Sequence, residues 1–135
     1  MEKIVWEARF NLQIDIIDDQ HRRLVDLMNR LIEIKGKDPS GEGVVEALGE
    51  MTNYLGDHFD TEEQMMIDHG YPEIDAHREE HQNFVAQTAY YIATYRESGV
   101  SLEKDILMFL QEWLIDHIQK TDQDFGRYVN KIREN

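Results

Sequence analysis

Two pairs of residues stand at a spacing that suits metal chemistry: His58 with Glu62, and His77 with His81, each four positions apart. Side chains at i and i+4 lie one turn apart on the same face of a helix, so each pair can grip a single cation. His21, His117 and Asp122 extend the set to seven nitrogen and oxygen donors. The chain has no cysteine, which excludes disulfides, iron–sulfur clusters and thiolate zinc sites. Five of the six histidines fall on apolar stripes. A lone histidine there is most often a hydrogen-bonded core residue, and His69 fits that plain role or a favourable charge at a helix C-terminus. Five imidazoles and two carboxylates buried together are different. They would cost on the order of several kcal/mol in desolvation unless a cation paired them.

The elements that must hold these donors are helical, because apolar residues recur at steps of three and four. A first helix is expected from about Asp18 to Lys35, with Asp15 or Asp18 as N-cap and Ile17, His21, Leu24, Met28 and Leu31 inward. The run Lys35–Gly43 reads as a loop. A second helix, about Val44 to Asp68, turns Leu48, Met51, Leu55, His58, Glu62 and Met65 inward, and Gly70 and Pro72 end it and open the next. The third, about Glu73 to Glu97, carries Ile74, His77, His81, Phe84, Thr88, Tyr91 and Tyr95, and Ser98-Gly99 breaks it. The fourth starts near Leu102 with Ile106, Leu110, Trp113 and His117 inward, and Phe125, Tyr128, Val129 and Ile132 form a short further helical segment. Residues 1–17 lack a helical period and read as an extended arm anchored by Trp6 and Phe10.

The fold class is therefore all-α: an antiparallel up-down-up-down four-helix bundle with that arm and a C-terminal helical segment, in a single domain spanning 1–135. Alternating helix directions bring donors together only at matching heights. His21, His77 and His81 lie near helix starts, and His58 and His117 near helix ends, so all five fall at one end of the bundle. One strain is predictable. His117 and Asp122 are five apart, which leaves them about 140° out of phase on a regular helix. For both to reach one site, the helix must bulge, unwind or end between Ile118 and Thr121.

The net charge of −14 disfavours nucleic acid and anionic membranes as partners. The one basic cluster, Arg22-Arg23, is too small for a nucleic-acid footprint, and no apolar stretch approaches the roughly 20 residues that span a bilayer. The N-terminus has no signal-peptide pattern, and with the lack of cysteine this fits a cytoplasmic location. A monomer is expected, since bundle packing uses up the apolar stripes.

These residues resemble a known family. Asp-Asp-Gln-His-Arg-Arg-Leu around His21, His58-Phe-Asp-Thr-Glu62-Glu, Tyr71-Pro72, His77-x-x-x-His81-x-x-Phe84 and Trp113-Leu-Ile-Asp-His117-Ile-x-x-x-Asp122 are similar to the hemerythrin motif set, in the form of its prokaryotic branch, the bacteriohemerythrins. The resemblance implies two non-haem iron ions bridged by an oxo or hydroxo group. His77, His81 and His117 would hold one iron, His21 and His58 the other, with Glu62 and Asp122 bridging. One coordination position stays open on the iron with two histidines, where dioxygen would bind. Phe59, Trp113, Leu114 and Ile118 flank the ligands in sequence and are candidate walls of a dry oxygen pocket.

The expected function is reversible dioxygen binding for transport, storage or scavenging, without catalysis. Mostly neutral imidazole donors favour it over the carboxylate-rich oxidase sites of ferritin-like proteins. Two alternatives stay open: an oxygen or redox sensor acting through a separate signalling or redox partner, and a di-iron oxidase or peroxidase. Against the last, no further carboxylate is expected near the site and no substrate-binding motif is present.

Overall fold

The structure is a computed structural model that describes residues 2–34, 37, 42–98 and 103–134. Within them the chain forms α1 (Asp15–Ile34), α2 (Glu42–His69), α3 (Ile74–Ser98), α4 (Glu103–Asp116) and α5 (Asp122–Glu134). A π-helical turn, His117–Thr121, joins α4 to α5, and a 3-10 turn, Ala8–Phe10, interrupts the arm. There is no strand among the described residues. The start expected near Leu102 and most of the Lys35–Gly43 loop lie outside the described residues.

Cross-helix contacts fix the directions. Gln20 meets Thr61 while Arg30 meets Glu50, so α1 and α2 run antiparallel. Arg78 meets Glu63 while Phe84 meets Phe59, reversing direction between α2 and α3. His117 meets Glu80 while Phe109 meets Tyr91, doing the same for α3 and α4. The result is the up-down-up-down bundle that the periodicity implied.

Residue chemistry explains the boundaries. Gly70, at φ 63°, occupies a left-handed position that only glycine takes without cost, while Gly70 N donates to Ile67 O and Tyr71 N to Met66 O. This is a Schellman closure of α2. Pro72 then sits in the turn before α3. The first helix begins at Asp15, earlier than expected, and Asp18 does not act as its N-cap. Instead the buried Asp18 carboxylate accepts from Leu12 N at 2.7 Å and Gln13 N at 3.1 Å, which fastens the arm onto α1 and supports Gln13 at φ 63°. Met65 is a second correction: Met66, one position on, is the buried residue at the end of the α2 stripe.

The arm is held along its length. Asn29 accepts from Ile4 N and donates to Ile4 O, Trp6 meets Phe10 edge-on, and Asn130 donates to Leu12 O. Phe10 is buried, whereas Trp6 is half-buried with Arg22 stacked over it. Among the described residues, apolar side chains form two clusters. The larger runs through the bundle and includes Leu24, Leu55, Phe59, Phe84, Leu114 and Ile118. The smaller, with Ile14, Ile17, Met66, Tyr71, Phe125 and Val129, closes one end. On α1 the order is Ile17, His21, Leu24; on α2 it is Phe59, Glu62, Met66. The polar donors therefore lie in a layer between two apolar ones.

Candidate metal centre

All seven donors named from the sequence converge in that layer, each almost wholly buried. They fall into two groups sharing one residue: Glu62, His77, His81 and His117, and His21, His58, Glu62 and Asp122. Within each group one ligand-type atom per residue lies within 4.8 Å of the others, close enough to surround a cation. α1 supplies His21, α2 His58 and Glu62, α3 His77 and His81, the π-turn His117 and α5 Asp122.

Asp122 spans both groups. Its Oδ1 is 3.0 Å from the Nε2 atoms of His77 and His117, and its Oδ2 is 2.7 Å from His21 Nε2 and 3.7 Å from His58 Nε2. Glu62 Oε1 sits among the Nε2 atoms of His58 (3.0 Å), His117 (3.2 Å) and His81 (3.4 Å). Asp122 gets there because of the strain foreseen in the sequence. Asp122 N donates to His117 O across the π-turn, an i→i+5 closure that adds the residue needed to bring Asp122 round beneath His117.

Two inner atoms lack a hydrogen-bond partner although fully buried: Glu62 Oε2 and His81 Nε2. His81 Nε2 is 3.4 Å from Glu62 Oε1 without hydrogen-bonding geometry, and Glu62 Oε2 is 3.9 Å from His77 Nε2. Buried orphans of this kind are costly, and a cation would satisfy both. The donor set therefore fits bound metal.

Without metal, protons carry the compensating charge. Burial would lower the pKa of His58, but the Glu62 charge and a bond to Asp122 push it up to about 9. Burial opposes protonation of His117 too, and Asp122 and Glu62 still hold it well above the usual imidazole range. Burial would likewise raise Glu62 and Asp122, yet the facing histidines hold both far below the carboxylate range. His21 goes the other way: desolvation lowers it despite Asp122.

Three of the five outer imidazole nitrogens are also engaged, while His21 Nδ1 is buried without a hydrogen-bond partner. His58 Nδ1 donates to Gln20 Oε1 at 2.8 Å, His117 Nδ1 to Glu80 Oε1 at 2.9 Å, and His81 Nδ1 lies 3.4 Å from Glu63 Oε2. Such partners orient a ligating imidazole and raise its basicity. The expectation of no further carboxylate near the site is corrected here, since Glu63 and Glu80 both reach it. They lie on its outer side, facing Nδ1 rather than the inner donors. Gln20, Glu63, Glu80 and Thr121 escaped the sequence reading. The available signal was adjacency: each directly neighbours a donor in the chain. Three of them, however, serve a histidine on another helix, which only interhelical rotation reveals.

Aromatic rings close the bundle side. Phe59 stacks on His81 with centroids 3.9 Å apart, and Trp113 on His117 at 4.5 Å. Phe59, Leu114 and Ile118 are buried and Trp113 half-buried. His69 stands outside the cluster, its Nδ1 donating to Met65 O at 2.8 Å.

A helical bundle with a buried, cation-sized layer of histidines and carboxylates defines a class of metal-binding protein, and comparison with known proteins places the chain within it. The family model described as the hemerythrin HHE cation binding domain matches residues 12–129. The bacteriohemerythrin of Stenotrophomonas maltophilia (strain R551-3) is 32% identical over 129 residues, covering 96% of this chain and 83% of that protein. The bacteriohemerythrin of Pseudomonas aeruginosa (strain LESB58) is 31% identical over 134 residues, covering 98% and 84%. A crystal structure of wild-type hemerythrin superposes with a TM-score of 0.84 at 27% identity, covering 93% of this chain and 97% of that one. The chain belongs to the hemerythrin family. No helix among the described residues is long and apolar enough to cross a membrane.

Proposed function

We propose that residues 1–135 form one hemerythrin domain that holds two iron ions and binds dioxygen reversibly, as a binding protein rather than an enzyme. The observation that carries this reading is the division of Asp122, one oxygen toward His77 and His117 and the other toward His21 and His58. A carboxylate so placed is suited to bridging two cations, and Glu62, shared by both donor groups, is suited to the same role. His77, His81 and His117 would hold one ion, and His21 and His58 the other. The bound iron pair, with its oxo or hydroxo bridge, would supply the electrons that make dioxygen binding reversible.

The chain's own residues set the conditions for reversibility. The inner set has five imidazoles and only two carboxylates, which stabilises high-valent iron less than a glutamate-rich site does. Glu63 and Glu80 leave that balance intact because they face outer nitrogens. Phe59, Leu114 and Ile118 keep water from the bundle side, and Trp113 covers His117. Excluding water slows ligand loss and keeps the inner charges poorly screened. Metal analysis joined to an anaerobic-to-aerobic absorption titration tests the reading. It expects two irons per chain and a coloured oxygenated form that bleaches when oxygen is removed. Reduced protein that passes straight to a ferric product, with no oxygenated species, overturns it.

A further inference from the structure

Glu80 touches both ends of the π-turn. Its Oε1 accepts from His117 Nδ1 at 2.9 Å, and Thr121 Oγ1 approaches Oε1 at 3.0 Å and Oε2 at 2.9 Å. His117 and Thr121 are the first and last residues of that turn, and Glu80 projects from the neighbouring α3. A π-turn is a rare departure from the α-helix, found mostly as a single turn and frequently at functional sites. The other outer partners do less. Gln20 meets His58 and the Thr61 hydroxyl, and Glu63 stands 3.4 Å from His81 while accepting from Arg78 at 3.1 Å.

We infer that Glu80 is a positioning residue for the metal centre: one carboxylate aims His117 Nε2 inward and clasps the π-turn shut, so that His117 and Asp122 present their donors to the same pair of ions. The inference rests on the metal-binding reading above but not on oxygen chemistry. Rotating His117 about its stem would carry Nε2 away from Asp122 Oδ1 and Glu62 Oε1, now at 3.0 and 3.2 Å. Opening the turn would carry Asp122 away from all four of its histidine contacts. A single side chain on α3 thus controls two ligands that lie beyond it, one in the π-turn and one at the start of α5.

The test uses the full chain loaded with zinc, a diamagnetic probe, in wild type, Glu80→Ala, Glu80→Gln and Thr121→Val. Wild type is expected to show a slowly exchanging, downfield His117 Nδ1–H resonance, which Glu80→Ala abolishes. In that variant a chelator competition should find one zinc held about 10- to 100-fold more weakly, the range for losing an outer partner of a ligating histidine. Glu80→Gln keeps a carbonyl acceptor and should restore the resonance and most of the affinity. Thr121→Val should keep the resonance but speed amide exchange across residues 118–122. A folded Glu80→Ala protein with the resonance, amide exchange and affinity all unchanged overturns the inference. So does failure of Glu80→Gln to restore any of them. A wild-type chain that takes up no zinc defeats the metal reading instead, and amide exchange at 118–122 in the metal-free variants still reports on the Glu80 clasp.

Discussion

Replacing Asp122 by Asn keeps the volume of the side chain and removes its charge and one of its two lone-pair-bearing oxygens. In the structure those oxygens serve different histidine groups, Oδ1 facing His77 and His117 and Oδ2 facing His21 and His58. Asparagine can offer its carbonyl to one group only; the amide NH2 turned to the other cannot ligate. The group left with His77, His81, His117 and Glu62 is the richer, so the ion beside His21 and His58 should be the one lost. Removing an outer partner of a ligand costs about 10- to 100-fold in affinity, which sets a floor for removing a ligand itself. One unit charge at about 4 Å is worth roughly 4 kcal/mol at an effective dielectric near 20, which sets the scale from above. The expected loss is therefore about 100- to 1,000-fold, or about 3–4 kcal/mol, at one position. Anaerobic ferrous titration followed by metal analysis should find about one iron per chain where wild type holds two, with helical circular dichroism unchanged. Two irons at wild-type affinity would refute the bridging assignment. Loss of both irons to the same degree from a folded protein would refute the division of the two oxygens.

Metal loading of the apo-protein at pH 7 should release at least two protons per chain, since His58 and His117 are held protonated and metal requires neutral imidazole, and a water-derived bridge would add to them. Release should diminish as pH rises past about 9, the His58 value, and a pH-stat reporting no release at pH 7 contradicts this. The same raised pKa makes the metal-free fold pH-dependent: the stability from His58 is fully present below about 6.5, its unfolded value, and fades as pH climbs through about 9. Urea midpoints of apo-protein measured from pH 6 to 10 should fall accordingly, while those of loaded protein should not. Gly126→Ala would place a Cβ 3.0 Å from Leu12 Cβ and Cγ, so it should destabilise by about 1–3 kcal/mol and loosen the arm. Gly49→Ala and Gly56→Ala meet nothing within 4 Å inside α2 and should each stabilise by about 0.5–1 kcal/mol, as read by thermal denaturation. Phe59→Ala, which removes the ring stacked on His81, should cost about 3–5 kcal/mol and speed autoxidation; an oxygenated form with wild-type lifetime would remove Phe59 from the pocket wall.

Much of this was legible in the sequence because helix periodicity and metal-ligand spacing are local signals. His58 and Glu62, or His77 and His81, announce a shared face within four residues. The level-matching of His21 and His117 needed only helix directions. The irregularity at His117–Asp122 was legible because five residues cannot close on a regular helix, though its form as a π-turn was not. What sequence concealed depends on rotation and on competing partners. Asp18 has an N-cap's residue type and place, but two amides of the arm claim its carboxylate. Met65 and Met66 are equally apolar, and only the drift of a long helix decides which turns inward. Glu80 looks like one more surface acid until α4 is laid beside α3.

The charges of the centre clarify how a bundle can accommodate so polar a layer. Two carboxylates held ionised face two imidazoles held protonated, so these four charges offset one another. Most inner polar atoms then have partners, and apolar layers on either side supply the burial that fixes the helices. The two inner atoms left unpartnered, Glu62 Oε2 and His81 Nε2, belong to the group richest in histidine. Metal exchanging for protons would relieve those orphans without rebuilding the bundle, which is the behaviour a preorganised site should show.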